Sequence, residues 1–401
     1  MSHDSHDDTL LRFRGEFPIL DHTVYMISNS LGAMPRGAAT GLARYAEIWA
    51  SRGIRAWEEH WWEMAGQIGG RIGTIIGAPP GSVSMHENVT TAEAVVLSCI
   101  EPRPGKNKLV CLENDFPSVL YLFQAQQAIG WNVKMVPGEA DLSVREERVI
   151  EAIDAETKVV AISHVLFRNS YIMDISAIVE RAHAVGAVVV LDTYQSAGII
   201  PVDVASLGVD FAVGGCLKWL CGGPGNAFLY TRPDLLKHLR PRLTGWLAHR
   251  DPFAFETSPV QPRGDAMRMM GGTPAVPAYY AALAGLEIVT AATVDRIRDK
   301  SKRMTKRLIE MIDERGWSCT VSRDPERVAG TVALAVPDAR HVARRLKSRD
   351  FLVDFRAQAG IRVSPHFYNT FDEIERTVAE VERIVRTRDY DPDEPVVSLV
   401  T

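Results

Sequence analysis

The run Val188-Val189-Val190-Leu191 is apolar on both faces and ends in Asp192, and it constrains the fold more than any other segment. A strand buried on both sides belongs inside a parallel sheet covered by helices, because a sheet with one wet face alternates apolar and polar residues. From Ser82 to Thr231, short runs rich in Val, Ile and Leu alternate with stretches of helical period, the pattern of βαβ units. Strands are predicted at 108–112, 132–136, 158–163, 187–191, 211–214 and 227–230, with helices at 92–99, 118–129 and 175–185. Gly130 and Gly186 close the last two helices. Asp192 falls at the carboxyl edge of this sheet, where open α/β folds bind ligands.

After Pro277 the composition shifts to long charged helices over 282–315, a strand-like run at 330–336 and a last helix at 372–388. This reads as a second, smaller lobe. Gly, Pro and Arg between Thr257 and Pro277 mark the crossing, and the acidic end, 389–394, reads as a solvated tail. The formal charge of −5 leaves no electrostatic footprint for nucleic acid or an anionic membrane, so neither is an expected partner. Five scattered cysteines make no disulfide frame. No secretory leader or apolar run of roughly 18 residues is present, and the expected address is the cytoplasm. His3 and His6 lack any zinc-like spacing with other ligands, so no metal is expected.

Lys218 follows the next strand, inside Gly214-Gly215-Cys216-Leu217-Lys218-Trp219, with Gly222-Gly223-Pro224-Gly225 beyond. A lysine desolvated at the lip of a sheet loses basicity and can form a Schiff base with a carbonyl cofactor such as pyridoxal phosphate. An aspartate at the neighbouring strand end can pair with the pyridinium nitrogen and keep it protonated. Alone, Lys218 reads as a solvated loop residue and Asp192 as a helix cap; together, in this glycine setting, they read as a cofactor site. Asn88-Val89-Thr90-Thr91 opens a helix whose free N–H groups and hydroxyls suit a phosphate, and Phe116 offers an aromatic face for the ring.

These residues carry a resemblance. In order along the chain stand Asn29-Ser30-Leu31-Gly32 with Pro35, Asp115-Phe116-Pro117-Ser118, and Asp192 through Ser196-Ala197-Gly198. Lys218 through Gly225, Gly245-Trp246 with His249, Gly272-Thr273-Pro274 and Ile361-Arg362-Val363 with Pro365 and Tyr368 complete the set. The chain resembles the fold-type I pyridoxal phosphate enzymes of the class V aminotransferase group, and within them it is most similar to the kynureninases. The resemblance implies a large domain with a mostly parallel seven-stranded sheet and a smaller α+β domain. Residues 1–50 would join the small domain, 51–278 would form the large one and 279–401 the small one. It further implies pyridoxal 5'-phosphate on Lys218, with Asp192 at the ring nitrogen, Phe116 stacked on the ring, and Val89, Thr90 and Thr91 at the phosphate. Trp246 would stand near the phosphate, Thr273 would reach across a homodimer, and Arg362 would bind the carboxylate of an amino-acid substrate. Asn29, Ser30, His164 and His249 would line the substrate's place.

Two departures bear on the reaction. Where kynureninases usually have His, this chain has Gln195, the residue with which aminotransferases and desulfurases of the group touch the ring's phenolic oxygen; where they have Tyr before the lysine, it has Leu217. Glutamine cannot exchange protons as histidine does, and leucine has no hydroxyl. The expected reaction is cleavage at Cβ, by kynureninase-like hydrolysis or β-lyase chemistry. The alternative is a class V aminotransferase using a keto acid. A desulfurase is disfavoured, because no cysteine occurs from Ser322 to Thr401. Trp57, Trp61 and Trp62 fall on one helix side and read as packing residues.

Overall fold

The computed structural model describes residues 8–392, so His3, His6 and positions 393–394 of the acidic tail lie outside the described residues. Seven strands form the central sheet: β1 (Val83–His86), β2 (Lys108–Leu112), β3 (Asn132–Val136), β4 (Thr157–Ser163), β5 (Val188–Asp192), β6 (Phe211–Gly215) and β7 (Ala227–Thr231). Their order is β3-β2-β4-β5-β6-β7-β1, and only β7 runs antiparallel to its neighbours. The doubly apolar Val188–Asp192 lies mid-sheet, as its composition requires. Register aligns Asp192 with Ser163 on one side and Val213 on the other, so the carboxyl ends of β4, β5 and β6 are level.

β1 is absent from the sequence reading for a physical reason. Its Val-Ser-Met-His alternation looks like a strand with one wet face, yet all four residues are buried, and Ser84 and His86 satisfy each other at 3.1 Å. Around the sheet pack α1 (Arg36–Arg52), α2 (Met64–Ile75), α3 (Val89–Ser98), α4 (Pro117–Ala125), α5 (Glu146–Ala152), α6 (Ser176–Ala184) and α7 (Val276–Ala292). Gly130 and Gly186 take left-handed conformations, φ 98° and 72°, at the foreseen helix ends.

A second sheet has the order β10-β11-β9-β8, formed by β8 (Ser318–Cys319), β9 (Val332–Ala335), β10 (Asp354–Arg356) and β11 (Gly360–Val363), all antiparallel. Helices α8 (Val294–Glu314), α9 (Ala339–Lys347) and α10 (Phe371–Thr387) cover it. Leu308, Ile312, Val342, Leu346, Val378 and Val381 fill its core.

The changeover between cores falls later than composition suggested. Leu286, Val289 and Ala292 of α7 and Ile297 of α8 belong to the first core, whereas Met304 and Leu308 of α8 belong to the second, so the cores change over within α8. The leading segment serves both lobes: Val24 and Met26 enter the second core, while α1 packs on α7, where Gly41 lies against the Tyr280 carbonyl. The acidic end is no free tail at its start. Asp389 pairs with Arg383 at 2.6 Å, Arg345 at 2.9 Å and Arg349 at 3.0 Å, a network that holds its carboxyl down at about 2. Among the described residues no single helix is long and apolar enough to cross a membrane, and all five cysteines are free thiols.

Candidate active site

The level strand ends bring Asp192 and Lys218 within reach of each other's charge. Gly214 and Gly215 end β6 without side chains; a Cβ on Gly215 would fall 2.6 Å from the Tyr194 ring. That absence lets Tyr194 lie under the lysine turn. The Lys218 Nζ sits 4.4 Å from the Tyr194 ring centroid and 5.8 Å from that of Phe116. Burial pushes this amine down to about 7; Asp192 pulls it back up, while Arg362 and Arg356 push it further down. Burial raises the Asp192 carboxyl, opposed by the Tyr194 N–H donated at 2.7 Å and by Lys218.

Phe116 stands at the start of α4, 43% exposed as a residue, with its ring in edge contact with Phe167 at 5.3 Å. The residue before it fixes that corner. Asp115 accepts the Leu112 N–H at 2.8 Å and the Ser163 N–H at 3.0 Å, tying β2 to β4, and burial lifts its carboxyl to about 7. At the start of α3, Asn88 is the cap: its side chain accepts the Thr91 N–H at 2.9 Å and the Thr91 hydroxyl at 3.2 Å. The first N–H groups of the helix, on Val89 and Thr90, have no intrahelical acceptor and face outward where the helix dipole favours an anion.

Gln195 is engaged on both sides of its amide. Its Oε1 accepts the Trp219 indole N–H at 3.0 Å, and its Nε2 donates to the Asn29 carbonyl at 3.0 Å. The Asn29 side chain is buried with neither its Oδ1 nor its Nδ2 hydrogen-bonded, an orphaned amide beside the site. Arg362 is not an open fork. Its Nε donates to Asp354 Oδ1 at 2.7 Å, Nη2 to Asp354 Oδ2, and Nη1 to the Phe167 carbonyl at 2.5 Å. Ser30 completes the cluster, donating to Asp354 at 2.9 Å and lying 3.4 Å from Arg362 Nη2. One Nη1 N–H and the weakly held Nη2 N–H therefore remain for a substrate carboxylate.

The other expected residues take varied places. His164 is buried, its N–H on the Asp192 carbonyl at 2.9 Å, its Nδ1 unpartnered and its imidazole pushed down to about 4 by burial. Trp246 joins an aromatic group with Trp62 at 5.4 Å, Phe253 at 5.9 Å and Phe255 at 6.2 Å. His249 lies 3.8 Å from Glu256, and exposed Thr273 follows Gly272 at a cavity of about 310 Å³ shared with Thr91 and His86. Within one chain these three touch none of the groups around Lys218.

Three functional residues escaped sequence reasoning. Tyr194 stands two residues after Asp192, a spacing that on a turn carries no side-chain direction. Arg356 is half-buried, 3.5 Å from Asp354, and close enough to lower the basicity of Lys218. Glu93, among the apolar residues of α3, is buried with Oε2 unpartnered; burial, then Asp192 and Asp115, hold its carboxyl well up. The only signal for it was a charged residue inside an otherwise apolar helical stretch.

These residues fit pyridoxal phosphate: an amine of lowered basicity over two rings, a carboxylate at the adjacent strand end, an open aromatic face, a helix start for the phosphate and an orphaned amide. Fold and site define a fold-type I pyridoxal phosphate enzyme. The chain belongs to the class V aminotransferase family, whose model, described as Aminotransferase class-V, matches residues 50–377. It is 28% identical to a kynureninase of Pseudomonas fluorescens over 383 residues, covering 92% of this chain and 90% of that protein. It is 30% identical to the uncharacterized aminotransferase YcbU of Bacillus subtilis over 370 residues, covering 92% and 96%. Among solved structures, the apo cysteine desulfurase of Thermococcus onnurineus NA1 superposes with a TM-score of 0.83 at 20% identity, covering 96% of this chain and 100% of that one. The cystine C-S lyase C-DES does so with 0.81 at 20% identity, covering 94% and 100%. At such identity these two speak for the fold.

Proposed function

We propose that this enzyme cleaves a bond at Cβ of an amino acid, by kynureninase-like hydrolysis or as a β-lyase. The observation that carries the reading is the Lys218 amine, in the turn after β6, standing within electrostatic reach of the Asp192 carboxylate at the end of β5. The bound cofactor would supply an electron sink conjugated to the substrate's Cα. Asp192 holds a proton at the ring nitrogen, which keeps that sink open. Lys218, with basicity lowered to about 7, takes the Cα proton at neutral pH and carries it along one face. Arg362, steadied by Asp354, orients the carboxylate with Ser30 and Asn29. Tyr194, whose ring lies 4.4 Å from the Lys218 Nζ, brings a hydroxyl where Leu217 has none, and burial keeps that phenol protonated.

The choice of Cβ cleavage is supported by kynureninases aligned over 92–96% of the chain. Trp246, His249 and Thr273 act, in this reading, across a homodimer on the partner's site. A second reading, transamination, is favoured by Gln195 and by the likeness to YcbU. The test is to incubate the pure holoenzyme with kynurenine, 3-hydroxykynurenine, β-substituted alanines, and common amino acids with or without a keto acid. Anthranilate with alanine supports hydrolysis, and pyruvate with ammonia supports the β-lyase. Turnover that requires a keto acid overturns cleavage in favour of transfer.

A further inference from the structure

Trp219, next to the lysine, is where both lobes meet. Its buried indole donates to Gln195 Oε1 at 3.0 Å, and its carbonyl accepts from His366 Nε2 of the second lobe at 2.8 Å. The far edge of the indole lies over Gly330, where an added Cβ would fall 2.6 Å from Cη2. Gln195 passes the contact on through its Nε2 to the Asn29 carbonyl at 3.0 Å.

A primary amide has two orientations related by a flip that exchanges its donor and acceptor ends. In the orientation present, donor meets acceptor at both ends. Flipped, the NH₂ would face the indole N–H and the oxygen would face the Asn29 carbonyl, two like-with-like contacts in a buried place. Trp219 and Asn29 therefore select one orientation, and it leaves Nε2 one further N–H.

We propose that Trp219 is a positioning residue: acting through Gln195, it fixes the amide presented to the pyridoxal ring, and the second lobe seats it through Gly330. The inference rests on Lys218 and Asp192 as the cofactor's partners. The charged groups acting on Lys218 are Asp192, Arg362, Arg356 and Asp354. None of them is altered by a change at 195, 219 or 330, so a shifted titration in such variants reports hydrogen bonding and not a substituted charge.

The experiment is a pH titration of the visible absorption of the bound cofactor in holoenzyme carrying Trp219→Phe, Gln195→Leu, both changes, or Gly330→Ala. Trp219→Phe removes the donor while keeping most of the packing, and should move the midpoint by about half a pH unit or more. The double variant should move no further than Gln195→Leu alone. Gly330→Ala, from the other lobe, should move the midpoint in the same direction as Trp219→Phe, and it keeps the test alive if the tryptophan variant does not fold. Full additivity in the double variant overturns the inference, as does an unmoved midpoint in both Trp219→Phe and Gly330→Ala. If instead Lys218→Ala retains the unaltered band, the lysine assignment fails, and with it everything built on it here.

Discussion

A methyl group on Gly32 would stand 2.1 Å from the carbonyl oxygen of Lys218 and 3.0 Å from the Cα of Cys221. The Gly32 N–H also donates to the Leu217 carbonyl at 2.9 Å. The leading loop thus lies backbone to backbone on the lysine turn, and since neither obstructing atom belongs to a side chain, no rotamer change relieves the overlap. Gly32→Ala is expected to displace the turn and reduce cofactor retention by about tenfold or more, while the far-ultraviolet circular dichroism stays near wild type. The ratio of visible to protein absorbance after dialysis reads this out, and wild-type retention would remove the contact from the account.

Lys218 should behave as an unusual amine even in the apoprotein. Its rate of labelling by an amine-reactive reagent is expected to rise through a midpoint of about 7, below the ordinary lysine range. Asp192→Asn removes the charge that raises the amine and should shift the midpoint lower still. Stability follows with a definite sign. Between the folded value near 7 and the unfolded value of 10.5, the unfolded chain binds more protons at this site, so stability rises with pH across that window. Urea melts of wild-type apoprotein against Lys218→Met should converge as pH climbs from 7 towards 10.5, and a constant difference would mean the amine titrates normally.

The parts of this site that were legible in the sequence are those fixed by backbone geometry. Val188 to Leu191 demanded a central strand, its last residue then put Asp192 at the carboxyl ends of the strands, and the glycines around Lys218 announced a close-packed turn. What stayed hidden depends on side-chain direction. Arg362 reads as a free fork until Asp354, eight residues earlier on the adjoining strand, is seen to hold it, and cross-strand register cannot be read from an isolated pair of charges. Glu93 is similar: a helical period cannot tell a solvated glutamate from one facing Asp115 and Asp192. Gln195, expected at the ring's oxygen, is held in its orientation by Trp219 and Asn29, two residues far apart in the chain.

The Arg362–Asp354 pair separates binding from catalysis. Both side chains are buried, so Asp354→Asn leaves a guanidinium without its counter-charge, a change that typically costs about 3–5 kcal/mol. It is expected to lower the unfolding midpoint in urea and raise KM. Arg362→Lys keeps the charge but loses the planar fork and its contact with the Phe167 carbonyl. KM for the amino acid should rise about ten- to a hundredfold, with kcat changed far less. An equal loss in kcat would place Arg362 in the chemical step.

Tyr194 tests whether a displaced hydroxyl does the work that Leu217 cannot. Its ring lies 4.4 Å from the Lys218 Nζ, and burial holds the phenol protonated through the working range of pH. Tyr194→Phe keeps the ring beneath the amine, so cofactor retention and the exchange of the Cα proton with deuterated solvent should stay within a few-fold of wild type. Cleavage at Cβ requires a proton: in hydrolysis for the Cβ carbon kept in the alanine product, while the acyl carbon leaves as a carboxylic acid, and in β-elimination for the leaving group. Removing a positioned general acid typically costs about 10²–10⁴ in rate. The expected signature is therefore a loss of product formation with Cα exchange intact, followed by NMR in deuterium oxide. Equal loss of both would make Tyr194 a packing residue under the lysine, and unchanged cleavage would assign the proton to another group, with buried His164 the next to substitute.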